Sequence, residues 1–261
     1  DEDCPLCQVY TSGFLKTNML DQNGRKPFHK ISNEEEGFID INRASNEIAL
    51  VDTETKTVTY GIDSLLKVLG HSFPWIEKTG HFKPVKYGLK KLYSFISYNR
   101  KVIIPNTPST ETRLQCVPNF NVTYRLLYIL FASLVTIGVL YNFSESITVL
   151  PESSIGRETI LTIGQILFQS LFLINFNKKD RLNYIGNLMT VSLMGSLLLL
   201  PLLLVNSLVQ LSEWVLLVGF GAIVLSMFVE HYRRVKILQL PSYLTYTWVL
   251  YRILLLIIIT L

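Results

Sequence analysis

Residues 184–204 read YIGNLMTVSLMGSLLLLPLLL, 21 consecutive positions without a charged side chain. At about 1.5 Å of rise per residue a helix of that length covers about 30 Å, the thickness of a bilayer's hydrocarbon core. Backbone N–H and C=O groups find no water there, so a run of this kind is expected to cross as an α-helix. Pro201 and Asn206 interrupt the apolar pattern, so the alternative is a re-entrant pair formed with the next apolar run.

On either side the same composition recurs. Residues 124–143, 159–176, 213–229 and 243–261 are apolar stretches of similar kind, and an all-α transmembrane bundle of about five helices is expected over 123–261. The whole chain is 49% hydrophobic and 17% charged, too apolar for an ordinary soluble domain of its length. Residues 1–122 behave differently, with 15 Lys and Arg against 14 Asp and Glu, while 123–261 hold 9 against 6. A domain at 1–104 and a linker at 105–122 follow from that shift. The net charge of +4 comes mainly from short loops of the apolar half, so it bears on orientation and not on nucleic acid. The segments 177–181 and 231–236 each carry three Lys or Arg. Under the positive-inside rule they face the cytoplasm, and counting five crossings places the N-terminal domain there too. The missing initiator Met and the apolar end at 254–261 lead us to expect that both termini are incomplete.

Three cysteines are too few for an extracellular disulfide framework. Two form Cys4-Pro5-Leu6-Cys7 at the start of a stretch with helical spacing of Leu6, Val9, Tyr10, Phe14 and Leu15. Pro5 suits a first helical turn, where its missing N–H costs nothing. Free amides and the helix dipole there stabilise a thiolate, which names Cys4 as nucleophile and Cys7 as the resolving thiol one turn on. Asp1, Glu2 and Asp3 oppose that acidification. A redox pair, an inactive remnant and half of a zinc site are the three readings of such a motif. Zinc needs four ligands, and Cys116, His29, His71 and His81 make no second paired motif, so no metal and no cofactor are expected. Cys116, in the linker, reads as an inert thiol in preference to a partner for Cys4. Downstream, strands are expected at 26–31, 47–52 and 56–60, with a turn at Thr53-Glu54-Thr55 joining the last two. Helices are expected at 62–69 and 83–100, the latter with Leu89, Leu92, Tyr93 and Ile96 opposite its lysines.

The order of Cys4-Pro5-Leu6-Cys7, the run 48–52, Val58-Thr59-Tyr60, a Leu-rich helix, Pro74-Trp75 and the stretch 93–100 resembles the DCC family of thiol-disulfide oxidoreductase-like proteins. The resemblance covers residues 1–104, with Asp1 or Asp3 standing for the family's aspartate. It implies an α/β thioredoxin-like fold, whose first strand is expected upstream of residue 1, and a redox-active Cys4 and Cys7 with Asp3 and Pro5 as neighbours.

In the apolar half, residues 117–261 contain no cysteine, so this half carries no thiol electrons itself. Arg252, Glu230, Gln165 and Gln169 form a candidate intramembrane polar site, with Arg252 pairing to Glu230 or Glu213. Two functions are consistent with these signals. One is a membrane-anchored thiol-disulfide oxidoreductase acting on a thiol or disulfide protein or a small thiol. The other is a scaffold or transporter whose N-terminal domain senses redox state or docks. Both place the chain in a lipid bilayer, as a multi-pass membrane protein.

Overall fold

The computed structural model describes residues 4–106, 114, 116–148 and 151–260. They divide into two units, Asp1–Tyr124 and Arg125–Leu261.

In the first unit, α1 (Pro5–Lys16) begins at Cys4 as its N-cap, with Pro5 in the first turn. Residues 26–31 form no strand. Pro27 lacks the N–H a ladder would use, and its carbonyl accepts from Lys30 N–H at 3.0 Å to close a 3-10 turn over Phe28–Lys30. Two short helices follow because capping residues are in place for both. The Ser32 side chain accepts from Glu35 N–H while Glu35 Oε2 accepts from Ser32 N–H at 2.7 Å, starting α2 (Asn33–Glu36). Asp40 caps α3 (Ile41–Asn46) by accepting from Arg43 N–H at 3.0 Å. The hairpin expected next is present, with β1 (Ala49–Val51) antiparallel to β2 (Val58–Tyr60) and Leu50 opposite Thr59. Asp52 Oδ1 accepts from Glu54 and Thr55 N–H groups at 3.1 and 3.0 Å and so builds the turn. Then come α4 (Ile62–Ser72), α5 (Pro74–Gly80) and α6 (Lys83–Ile103).

The expected thioredoxin-like α/β domain is not what forms. Among the described residues β1 and β2 pair only with each other, three residues apiece, and the other regular elements are helices. A thioredoxin-like layer needs parallel strands joined by crossover helices, and the chain before β1 is committed to capped helical turns instead. The buried stripe of α6 also differs from expectation. Leu92 and Ile96 are exposed, and Ser97, Asn99, Arg100 and Val102 are the buried residues.

The second unit contains α7 (Val122–Glu145), α8 (Ile155–Leu171), α9 (Lys178–Val209), α10 (Glu213–Ile237) and α11 (Tyr243–Thr260). Among the described residues three of these, α7, α9 and α10, are long and apolar enough to cross a membrane, which makes this a membrane protein with fewer spans than the expected five. The shortfall lies in α8 and α11. With 17 residues α8 reaches only about 26 Å, and it carries Arg157 and Glu158 in its first turn. The described part of α11, Tyr243–Ile259, is apolar and stands outside the three. The cytoplasmic placement of the N-terminal domain counted five crossings and does not follow from three. The re-entrant alternative fails as well, because α9 runs through Pro201 to Val209 and turns back into α10 over Gln210, Leu211 and Ser212. Gly195 lets α9 and α10 approach closely, since a Cβ there would collide with the Met227 sulfur.

Candidate functional site

Cys4 and Cys7 lie one turn apart at the head of α1, both as free thiols. Cys4 has extended backbone geometry as N-cap, so its sulfur accepts from the Cys7 N–H at 3.4 Å. A thiol thus fills the role that a Ser or Asp oxygen plays at other helix starts. Thr11 Oγ1 donates to the Cys7 carbonyl at 2.7 Å and holds the second turn. Both cysteines are buried, Cys4 at 2% and Cys7 at 7% exposure, so a partner reaches the sulfurs only when the cover over them opens.

The charge near this pair comes from α6. Tyr93, Ser97 and Arg100 recur at four and three residues, which puts them on one helical face. Each grips the segment before β1: the Tyr93 hydroxyl accepts from Ile48 N–H at 2.8 Å, Ser97 Oγ donates to the Asn46 carbonyl, and Arg100 Nη2 donates to the Ser45 carbonyl at 2.6 Å. Arg100 Nη2 also lies 3.0 Å from the Cys116 sulfur and 3.2 Å from its carbonyl. Arg100 is buried and has no carboxylate partner among the described residues, and its Nε has no hydrogen-bond partner. Burial opposes its charge, but Cys116, Cys7, Cys4 and Tyr93 raise its pKa.

These surroundings divide the two thiols. The hydrogen bond with Cys4 lowers the Cys7 pKa most, Arg100 and the Tyr10 side chain add to it, and against the penalty of burial the thiol comes down to about 6. The Cys4 thiol is pushed up, by its hydrogen bond to Cys7 and by burial. These opposite directions favour the anion on Cys7, whereas helix position alone names Cys4. Tyr93 is raised to about 12 by burial, so its hydroxyl stays protonated.

No family model, curated protein or solved structure matches this chain. The chemistry of the site is therefore read from its own atoms. A thiol and a thiolate one turn apart beside a buried cation can exchange two electrons with a disulfide. Pro5 occupies the first turn as expected, while Asp3 and Asp1 lie outside the described residues. Among the described residues no three His, Cys, Asp or Glu side chains are grouped to hold a metal. Arg100 and Tyr10 were missed from the sequence. The signal that existed was the 93, 97, 100 spacing of polar residues on an otherwise amphipathic helix.

In the second unit the four polar candidates separate into three places. Arg252 Nη2 donates to Gln165 Oε1 at 2.9 Å, so those two meet. Gln169 accepts from the Tyr184 hydroxyl at 2.9 Å and from Thr247 at 3.2 Å. Glu230 binds Arg233 and Arg234 at 2.6 and 2.7 Å, and Glu213 accepts from Thr148, so neither acid pairs with Arg252. The register along α10 decides this, because Arg233 and Arg234 sit three and four residues after Glu230, within reach on one face. A buried Tyr184, His231 and Thr245 chain, with contacts of 3.1 and 3.3 Å at the two ring nitrogens, was not anticipated.

Proposed function

We propose that this chain is a membrane-anchored thiol-disulfide oxidoreductase in which Cys4 and Cys7 alternate between dithiol and disulfide. The observation that carries the reading is the position of Cys4 as a sulfur N-cap over Cys7, with the uncompensated Arg100 cation nearby. The motif order that resembles the DCC family supports it. In the reducing direction the Cys7 thiolate attacks one sulfur of a partner disulfide, forming a mixed disulfide and releasing the other sulfur as a thiolate. Cys4 then loses its proton and attacks Cys7, forming the intramolecular disulfide and releasing the second partner thiolate. Two electrons pass to the partner, and two protons complete its dithiol. Formation of the mixed disulfide removes the anion from Cys7 and with it the charge that opposed ionisation of Cys4, so the resolving step becomes easier once the first has occurred. The partner class is a protein disulfide or the disulfide of a small thiol.

The test is a redox titration of the membrane-embedded chain in glutathione buffers, with the free thiols trapped by alkylation and counted by mass. A Cys4–Cys7 disulfide that forms and is reduced reversibly supports the reading. Two thiols that stay reduced at every potential, with Cys116 the only one that changes, would refute it.

A further inference from the structure

The second unit holds a half-open cavity of about 700 Å³ to which all five of its helices contribute. That volume falls within the range of about 300–1,000 Å³ that holds one drug-sized ligand. Its wall is mostly apolar, with Leu140, Phe143, Leu199, Val224, Leu256 and Ile259 among the lining residues. The polar groups on the same wall are unbalanced. Gln165 and Trp248, at 4% and 1% exposure, line the cavity, and neither Gln165 Nε2 nor Trp248 Nε1 has a hydrogen-bond partner. Arg252 lines it too, its guanidinium 5.0 Å above the Trp248 ring, with Nε buried and unpartnered. The hydroxyl of Thr136, buried on the same wall, is likewise unpartnered. The acid that lines the cavity, Glu158, is already bound by Arg157 at 2.7 Å, so it leaves the Arg252 charge uncompensated.

These four atoms are covered by protein, whereas the Arg252 side chain as a whole is half-buried and brings its charge to the cavity wall. A buried donor left without an acceptor costs about 1–3 kcal/mol, and an unpaired buried cation costs more. The site therefore lacks an acceptor-rich, negatively charged group attached to an apolar body. We propose that the cavity binds a single-chain lipophilic carboxylate, a long-chain fatty acid or its close analogue. Its head lies against Arg252, and its chain runs along the apolar wall. The planar guanidinium fork matches the two oxygens of a carboxylate, and the one charge of Arg252 matches one negative charge. This inference is independent of the thiol chemistry at Cys4 and Cys7.

The chain has three tryptophans, and Trp75 and Trp214 are exposed. Replacing both by Phe leaves Trp248 as the reporter at the site. In a fixed amount of non-ionic detergent, 9,10-dibromostearate is titrated against the corresponding dibromostearyl alcohol, and quenching of Trp248 fluorescence is recorded. The expected result is saturable quenching by the acid, with the alcohol requiring at least about tenfold more, a difference of about 1.4 kcal/mol. Arg252→Met should remove the acid's advantage without changing the alcohol, and Arg252→Lys should retain part of it. Should Arg252→Met fail to fold, the acid and alcohol comparison in the parent protein decides alone. Equal midpoints for acid and alcohol, or quenching by the acid that never saturates, would overturn the proposal. Displacement of the acid by lysophosphatidylglycerol at lower concentration than by stearate would overturn the choice of a carboxylate.

Discussion

Removing the Arg100 cation should make Cys7 less acidic, and the size of the change follows from its surroundings. The thiol sits at about 6 against an ordinary 9.0, a difference of about 4 kcal/mol at about 1.4 kcal/mol per pKa unit. The hydrogen bond from Cys4 is the largest contribution to that lowering, and Arg100 is the next. With roughly one unit assigned to the guanidinium, Arg100→Gln moves Cys7 to about 7. Gln keeps a side chain that can still bond the Ser45 carbonyl, so the change is mainly in charge. The thiolate is the reactive species, so a higher pKa shifts the rate profile towards alkaline pH. At pH 6.5 the thiolate fraction falls from about three quarters to about one quarter, and alkylation slows about threefold, while above pH 9 the two proteins react alike. The assay is the pH dependence of iodoacetamide labelling at Cys7, read by peptide mass with Cys116→Ser as background. Arg100→Lys, which keeps the charge, should retain most of the lowered value. A Cys7 midpoint that stays near 6 in a folded Arg100→Gln protein would refute the assignment of Arg100 as a positioning residue that holds the anion.

Cys4→Ala should raise the Cys7 midpoint further than Arg100→Gln does, because it removes the largest stabilising contribution, and the same labelling profile measures it. In the second unit, Gly195→Val should lower thermal stability in detergent by about 1–3 kcal/mol through the collision with Met227, and Met227→Ala should recover part of that loss. Since α9 and α10 are each long and apolar enough to cross and are joined by three residues, cysteines placed at Lys179 and Lys236 should react with a membrane-impermeant maleimide from the same side of a sealed vesicle. Labelling from opposite faces would contradict the hairpin. Ser32→Ala removes the capping box at α2 and should cost about 1 kcal/mol, seen as a shift in the unfolding midpoint of the N-terminal unit.

What could be read directly from the residues was local. A charge-free run such as 184–204 must satisfy its own backbone in hydrocarbon, so its helix follows from composition, as do the N-terminal position of Cys4 and Pro5 on α1 and the hairpin around Asp52. These outcomes depend on a residue's near neighbours along the chain, where distances are set by helix and turn geometry. The number of crossings was less legible, because α8 is apolar enough to suggest a span but is short and charged in its first turn, and an apolar stretch does not say where its helix begins. Whether the segments around the hairpin would assemble a parallel sheet was a question of long-range pairing, and the structure answered it with helical turns. The same holds for the sites. Arg100 lies 96 positions after Cys4, and Arg252 lies 87 after Gln165. Only the folding of the chain brought a cation into range of the thiols and left Arg252 facing a cavity with no acid to pair with among the described residues.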